Sequence, residues 1–452
     1  MFNLGFNDRK FYNKMLAISL PIMLQNLISS VINMLDTVMV GALGEAQLAA
    51  VGLANQVFFV FFLLIYGINS GCGIFIAQYW GSKDEENIRR TLGFSILIGA
   101  AVGLMFTLIA LYLPRQIMQL FTIDEAVIEY GISYMRFVSF SYVMTSISIA
   151  YSFAARNIGD VKMPMIISAV SLIVNGVLNY VLIFGLFGFP RLEIEGAAIA
   201  TVIARLVEAI AIVFWVYAIR KDKVLFSRLR DIKSLDVSFI RNILVTAIPV
   251  ILNDVFWALG MTMYSAAYAR ISTTAIASMQ IANTVQGIFI VVAMGLGTSC
   301  SVMVGNEIGS GDKENAILYG NRYIKIGTFI GIVLGLILIL ISPVIIMMFS
   351  STHVVQGVAQ KILLIMGIFL WVRFLNYILV IGILRSGGDT TFSMILETCS
   401  VWIVGVPLAF AGALWWHLPA YMVFTLISLE ELVKAYFGMI RVKSNKWVRN
   451  VI

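Results

Sequence analysis

The sequence predicts an all-α membrane protein with twelve transmembrane helices in two six-helix lobes. The two lobes are related by a pseudo-two-fold axis along the membrane normal. Three observations lead to this fold class: the composition, a series of apolar runs and an internal repeat. Of the 452 residues, 60% are hydrophobic and 12% are charged, whereas a soluble domain carries about 25% charged residues. This composition excludes a soluble enzyme, a nucleic-acid-binding protein and a disordered linker, because those classes need polar surfaces.

Apolar runs follow one another along the chain, and each is long enough for a bilayer, which needs about 20 residues per helix. They are continuous rather than alternating, which indicates helices and not the strands of a membrane barrel. The predicted spans are 15–40, 50–78, 93–113, 127–152, 164–187, 196–219, 242–266, 276–307, 321–349, 356–383, 391–413 and 416–440.

Lysine and arginine in the connections indicate the orientation, since cytoplasmic loops carry an excess of both. With the amino terminus inside, most of them fall on the cytoplasmic side, Arg385 among them, and the outer side holds Arg115, Arg191, Arg270 and Lys361. We therefore expect a multi-pass protein of the plasma or inner membrane with both termini in the cytoplasm. The net charge of +7 then reflects topology and contact with anionic lipid, and no nucleic acid is needed as a partner.

The most charged connection, 220–241, is predicted to be a cytoplasmic linker. It divides the chain into an amino-terminal lobe at 1–219 and a carboxy-terminal lobe at 242–440. A cytoplasmic tail at 441–452 follows the second lobe.

The two lobes are copies of one another. Residues that recur after 228 or 229 positions are Pro21 with Pro249, Asn55 with Asn283, GSKDEEN at 81–87 with GSGDKEN at 309–315, and Asp160 with Asp389. Six spans per copy give both copies the same orientation, which is the parallel repeat of some transporters. We expect a cleft between the lobes that opens to either side in turn, and a monomer, because the repeat already supplies the symmetry.

Five motifs, taken in order, resemble the multidrug and toxic compound extrusion (MATE) family of antiporters, over about 15–440. They are LPIMLQNLISSVINMLDTVMVGALG, AQYWGSKD, ARNIGDVKMP with the following NGVLNYVLIFG, EGAAIATVIA, and LRSGGDTT. The resemblance implies an antiporter that exports cationic amphipathic drugs and toxic organic compounds by alternating access, in exchange for Na⁺ or H⁺. It implies small cationic substrates and membrane lipid as partners, and no cofactor besides the coupling ion.

The resemblance also implies a cation or proton site at Asp36, Asn175, Asn179 and Thr201. Asn179 departs from the family pattern, which often has a second acid there, so both the charge of the site and its ion stay open. The residues themselves allow both ions, because carboxylate, amide and hydroxyl oxygens suit Na⁺ and a buried carboxyl can carry a proton.

Asp36 is the strongest single signal, because a carboxylate in an apolar span is costly unless it faces the bundle interior and finds a partner. A place at the membrane interface or at a helix end is the alternative. Asn175 and Asn179 are four residues apart and share one helix face. Arg205 and Glu208, three residues apart, are expected to form a structural ion pair.

The second lobe offers Asp254, Asn283 and Glu397 as possible substrate-binding or coupling residues. Asp254 lies about twelve residues into its span, near the midplane, and is the stronger candidate. Glu397 lies nearer the inner side. Asn283 and its repeat mate Asn55 are expected to form interhelical hydrogen bonds.

The chain has no phosphate-binding loop of the G-x-x-x-x-G-K-[ST] type, no H-E-x-x-H motif and only two histidines, so an enzyme, an ATP-driven pump and a metal centre are not expected. The alternative function is a flippase of lipid-linked precursors on the same architecture. A flippase would need many basic residues facing its cavity to hold a diphosphate. The cations within the spans are few, namely Arg136, Arg205, Arg373 and Lys434, which favours the exporter.

Overall fold

The computed structural model describes residues 8–220, 222–349 and 352–452. Residues 1–7 and Lys221, which belong to the predicted cytoplasmic segments, lie outside the described residues. The described chain is helical and contains no strand. Its α-helices are α1 Arg9–Gly41, α2 Glu45–Gly81, α3 Glu85–Tyr112, α4 Pro114–Gln119, α5 Glu125–Val138, α6 Ser141–Asn157, α7 Lys162–Phe184, α8 Glu193–Phe214, α9 Leu229–Lys233, α10 Val237–Ile271, α11 Thr273–Gly309, α12 Lys313–Met347, α13 His353–Tyr377, α14 Thr390–Cys399, α15 Val406–Phe410 and α16 Ala420–Lys443.

Within the described ranges, twelve helical segments correspond to the twelve predicted spans. Ten described helices, some extended by π-helical turns, are long and apolar enough to cross a membrane. An eleventh segment is the pair α5 and α6, which a bend of 51° separates. The twelfth is α16, whose middle carries Glu430, Glu431 and Lys434. The predicted all-helical membrane fold is confirmed, and α16 is distinguished by charges that need partners inside the protein.

π-helical turns widen three of the described spans. They extend α8 over Trp215–Ile219 and α13 over Ile378–Arg385, and they flank α15 over Ser400–Gly405 and Ala411–Trp415. Pro407, inside the α14–α15 span, supplies one physical reason, because proline has no N–H to donate to the preceding turn. Such turns re-aim side chains and are frequent at functional sites.

The chain forms two compact units. The amino-terminal unit consists of Leu24–Trp80 and Asp84–Leu244. The carboxy-terminal unit consists of Val245–Ile452, the three residues Gly81–Lys83 and the chain up to Met23. The first turns of α1 thus pack within the carboxy-terminal unit, where Asp8 pairs with Arg322 at 2.7 Å.

Each unit has its own core. In the amino-terminal unit, Phe61 of α2 stacks on Tyr142 of α6 with ring centroids 5.0 Å apart. In the carboxy-terminal unit, α12 and α13 approach closely because Gly335 lies against the backbone of Gly367. Small residues at such crossings are the usual device of helix packing in a membrane.

The repeat is visible in local backbone geometry. Asp84 and Asp312 cap α3 and α12, and each accepts a hydrogen bond from the backbone N–H three residues later, at 3.1 and 3.0 Å. The preceding residues, Lys83 and Gly311, both have a positive φ, of 61° and 85°. The repeated acid thus starts an equivalent helix in each half.

The second repeated acid pairs with arginine in each half. Asp160 pairs with Arg220 at 3.1 Å, and Asp389 pairs with Arg441 at 2.6 Å and Arg449 at 2.9 Å. Arg220 follows the last spanning segment of the first half, whereas Arg441 lies in the last turn of α16 and Arg449 follows that helix. Arg220 also donates two hydrogen bonds to Asp222, which hold the pKa of that carboxyl below its usual value.

Candidate functional site

Asp36 lies beside Asn179 in the amino-terminal unit. The Asn179 Nδ2 atom donates to Asp36 Oδ1 at 2.6 Å, and this contact joins α1 to α7. Asn179 is 2% exposed, and its Oδ1 atom has no hydrogen-bond partner among the described residues. The site therefore holds a carboxylate and a buried amide whose acceptor oxygen is free in that part of the chain.

The polar face of α7 extends this contact along the helix. Asn175 Nδ2 reaches Thr201 Oγ1 of α8 at 3.5 Å, and Ser171 Oγ donates to the Ala204 carbonyl oxygen at 2.7 Å. Polar residues at 168, 171, 175 and 179 recur every three or four positions, so they share one face. The structure thus brings together all four residues of the predicted cation site, Asp36, Asn175, Asn179 and Thr201.

An ion pair closes this row of contacts. Arg205 Nη1 lies 2.8 Å from Glu208 Oε2, as the spacing predicts. Ser168 Oγ of α7 donates to the other carboxylate oxygen of Glu208. The positive charge of Arg205 also acts on Asp36. The paired charges are therefore electrostatically connected to the carboxylate of the site.

Tyr134 of α5 belongs to the same site and is absent from the sequence prediction. It is 5% exposed, and its hydroxyl faces Thr201 and the charge of Asp36. A tyrosine in an apolar run gives no signal of its own, because Tyr is common at membrane interfaces. Only the packing of α5 against α8 places it here.

The carboxy-terminal unit contains a chain of six charged side chains in which acids and bases alternate. Arg385 joins Asp254 at 2.7 Å and Glu397 at 3.8 Å. Lys434 joins Glu397 at 3.9 Å and Glu431 at 3.6 Å. Arg373 ends the chain 3.7 Å from Glu431. Asn253 ties α10 to α14 by donating to Glu397 at 2.6 Å. Three carboxylates and three cations balance one another.

Two of the three second-lobe candidates meet in this chain, and one does not. Asp254 and Glu397 share Arg385 as a partner. Asn283 is exposed on α11, and among the described residues no hydrogen bond joins it to the six charged side chains. The prediction that Arg385 lies in a connection between spans is wrong, because this residue ends the π-helical turn that extends α13. It is 5% exposed within the extended α13 helix, because Asp254 and Glu397 compensate its charge.

Glu430 is a further buried acid that the sequence prediction leaves out. It is 6% exposed and accepts a hydrogen bond from the Tyr264 hydroxyl of α10. Gly405 lies directly against this pair, since a Cβ at that position would overlap both the hydroxyl and the carboxylate. The signal was available, because two adjacent acids and a lysine inside the last apolar run are costly without a purpose.

Each unit contains an arginine contact that the repeat relates to one in the other. Arg156 donates to Gln25 at 2.8 Å in the amino-terminal unit, and Arg385, 229 positions later, donates to Asp254 in the carboxy-terminal unit. The equivalent arginine thus binds the first helix of each half, once through a neutral amide and once through a carboxylate.

Comparison with known proteins agrees with this architecture. The MatE family model matches residues 21–181 and again 249–411, so each half carries one copy. The chain is 24% identical to the probable multidrug resistance protein NorM of Thermotoga maritima, over 97% of this chain and 94% of that protein. It is 26% identical to the probable multidrug resistance protein YoeA of Bacillus subtilis, over 86% and 84%.

Solved structures show the same fold. A crystal structure of MATE in the straight conformation superimposes with a TM-score of 0.87 at 22% identity, over 96% of both chains. A transporter of the MOP superfamily from Pyrococcus furiosus superimposes with a TM-score of 0.87 at 21% identity, over 96% of both chains. The two family-model matches together cover more than half of the sequence. The chain is a member of the MATE family and thus a membrane transporter rather than an enzyme.

Proposed function

We propose that this protein exports cationic amphipathic compounds across the plasma or inner membrane in exchange for Na⁺ or H⁺, with Asp36 as the coupling residue. The contact between Asp36 and Asn179 at 2.6 Å carries the proposal. The relatives named multidrug resistance proteins support the substrate class. Both termini lie in the cytoplasm, the linker 220–241 faces the same side, and the protein acts as a monomer in contact with membrane lipid.

The hydrogen bond between Asp36 and Asn179 depends on whether Asp36 is charged. An ionised Asp36 accepts a hydrogen bond from the Nδ2 atom of Asn179, which is the contact that the structure shows. A protonated Asp36, or a Na⁺ ion beside it, needs an acceptor oxygen instead. The amide of Asn179 offers one by turning its Oδ1 toward Asp36. Ion binding therefore changes the hydrogen bond between α1 and α7.

That change supplies the coupling that exchange requires. An ion shifts a conformational equilibrium only through different affinities for the two states. Asp36 is half-buried in an apolar span, which makes its charge costly, so neutralising it changes the preferred packing of α1 against α7 and α8. A differential affinity of about 5.5 kcal/mol moves a two-state equilibrium from roughly 1:99 to 99:1, and smaller values shift it in part.

The pairing of three of the four cations named within the spans favours the exporter over the flippase. Arg205 pairs with Glu208, and Arg373 and Lys434 pair with Glu431. Paired cations are already compensated and offer little to a diphosphate. Lys434 is also 4% exposed.

The test is efflux of a cationic dye from proteoliposomes under an imposed Na⁺ gradient and, separately, an imposed pH gradient. We expect Asp36→Asn to abolish gradient-driven efflux while dye binding to the purified protein persists. Asn179→Asp adds a second carboxylate, and we expect tighter cation binding and slower ion release.

The matched control is Glu195→Gln on α8. Glu195 accepts a hydrogen bond from Ser133 and lies outside the row of contacts around Asp36. We expect it to retain gradient-driven efflux. Undiminished efflux by Asp36→Asn under both gradients would contradict the proposal.

A further inference from the structure

We propose that Glu430 is a proton-binding carboxylate, and that the carboxy-terminal unit thereby contains a second proton site. Its use in transport rests on the proposed antiport, but its protonation is a property of the folded protein and is measurable without transport.

The charge balance around Glu430 gives the first reason. The six alternating side chains from Asp254 to Arg373 contain three carboxylates and three cations. They are neutral as a set. Glu430 is a fourth carboxylate in the same buried region, so an ionised Glu430 leaves one negative charge uncompensated. A buried charge without a partner is far more costly than a neutral carboxyl, and a bound proton removes it.

The immediate surroundings of Glu430 give the second reason. Among the described residues, no ion pair within 4.0 Å joins the Glu430 carboxylate to a Lys or Arg nitrogen. The neighbouring Glu431 forms two such ion pairs. The one side-chain partner recorded for Glu430 is the Tyr264 hydroxyl. Hard metal ions take several oxygen ligands, and a carboxylate with a single hydroxyl is a poor cage for one. A proton needs one carboxylate oxygen.

The packing keeps room for this pair. Gly405 ends the π-helical turn Ser400–Gly405, and its missing side chain is what admits the Tyr264 hydroxyl and the Glu430 carboxylate together. Both side chains are at most 6% exposed. The pair is therefore held in one geometry by three helices and is not a surface contact.

The repeat gives the third reason. Tyr264 lies 228 positions after Asp36, at the separation that also relates Pro21 to Pro249. The second copy has thus replaced the carboxylate of the first helix by a tyrosine, and the last helix supplies the acid that this tyrosine contacts. In the carboxy-terminal unit the carboxylate therefore lies on the last helix, in contact with the residue that corresponds to Asp36.

Several charged or titratable groups lie on the helices packed around the pair, and Tyr268, Arg373, Glu431 and Lys434 act on it directly. The groups on these helices are Asp254 and Tyr268 from α10, Arg373 and Arg385 from α13 and its extension, Glu397 from α14, and Glu431 and Lys434 from α16 itself.

The experiment is infrared difference spectroscopy of the purified protein on a change of pH, which detects the carbonyl stretch of a protonated carboxylic acid. We expect one such band to be lost in Glu430→Gln. The matched control is Glu195→Gln in the amino-terminal unit, where Glu195 accepts a hydrogen bond from Ser133. This change leaves the charge balance around Glu430 unaltered, and we expect the variant to keep the band. Tyr264→Phe removes the hydrogen bond without removing the acid, so the band is expected at a higher frequency.

Asp36→Asn separates the two sites, since the band assigned to Glu430 should persist in this variant. A band that survives in Glu430→Gln, or that disappears in Asp36→Asn or Glu195→Gln, would overturn the assignment. A loss of gradient-driven efflux in Asp36→Asn with the band intact leaves this assignment standing. A failure of the proposed exchange is therefore distinguishable from a failure of the proton site.

Discussion

Asp389 and Asp160 are equivalent acids of the two halves, and the structure predicts very different consequences when each is replaced by asparagine. Asp389 is 1% exposed and holds Arg441 at 2.6 Å and Arg449 at 2.9 Å. The side chain of Asp160 is 34% exposed and holds Arg220 at 3.1 Å. Arg220 keeps Asp222 as a second partner.

The magnitudes follow from burial. Removing one partner of a buried ion pair costs about 3–5 kcal/mol. The arginines left behind by Asp389→Asn are 20% and 50% exposed, so water recovers part of the loss, and we expect about 2–3 kcal/mol. That is about a 30- to 150-fold change in the unfolding equilibrium. For Asp160→Asn we expect less than about 1 kcal/mol, as for an exposed pair.

The assay is thermal unfolding of both purified variants in the same detergent, followed by tryptophan fluorescence. Asp389→Asn should lower the melting temperature clearly, and Asp160→Asn should change it little. Reaction of the buried Cys300 with a thiol reagent reports opening of the carboxy-terminal unit independently. Equal shifts in the two variants, or a larger shift in Asp160→Asn, would refute the reasoning from burial.

Three further outcomes follow from the structure. Asp254→Asn should impair export and stability more than Glu397→Gln, as measured by dye efflux and melting temperature. The reason is that Asp254 makes the shortest ion pair among the six charged side chains and its loss leaves a buried arginine. A larger defect in Glu397→Gln would contradict this prediction. Cysteines placed in 220–241 should stay unlabelled by an impermeant reagent added to intact cells, and labelling there would reverse the orientation. Trp447→Ala should lower the free energy of unfolding by about 3–5 kcal/mol, measured by chemical unfolding. Trp447 is 1% exposed and its indole N–H donates to the Val442 carbonyl oxygen. A change within experimental error would mean that the carboxy-terminal tail does not stabilise the fold.

The sequence alone determines the membrane class, the helical fold and the repeat. Lipid forbids unsatisfied backbone groups, so continuous apolar runs have to be helices. The repeated motifs predict matching helix starts, and the caps at Asp84 and Asp312 agree with that prediction. The pairing of Arg205 with Glu208 follows from a spacing of three residues along one helix. These features depend on local order, which the sequence states directly.

The tertiary structure alone decides which distant polar residues meet. Asp36 and Asn179 are 143 positions apart, and nothing in their local sequence states the contact. Arg385 reads as a loop cation until Asp254 is placed beside it. Glu430 and Glu431 are neighbours in sequence, yet one faces two cations and the other faces a tyrosine and a glycine, because successive residues of a helix point about 100° apart. Helix packing therefore determines which of two adjacent acids stays paired and which is left to bind a proton.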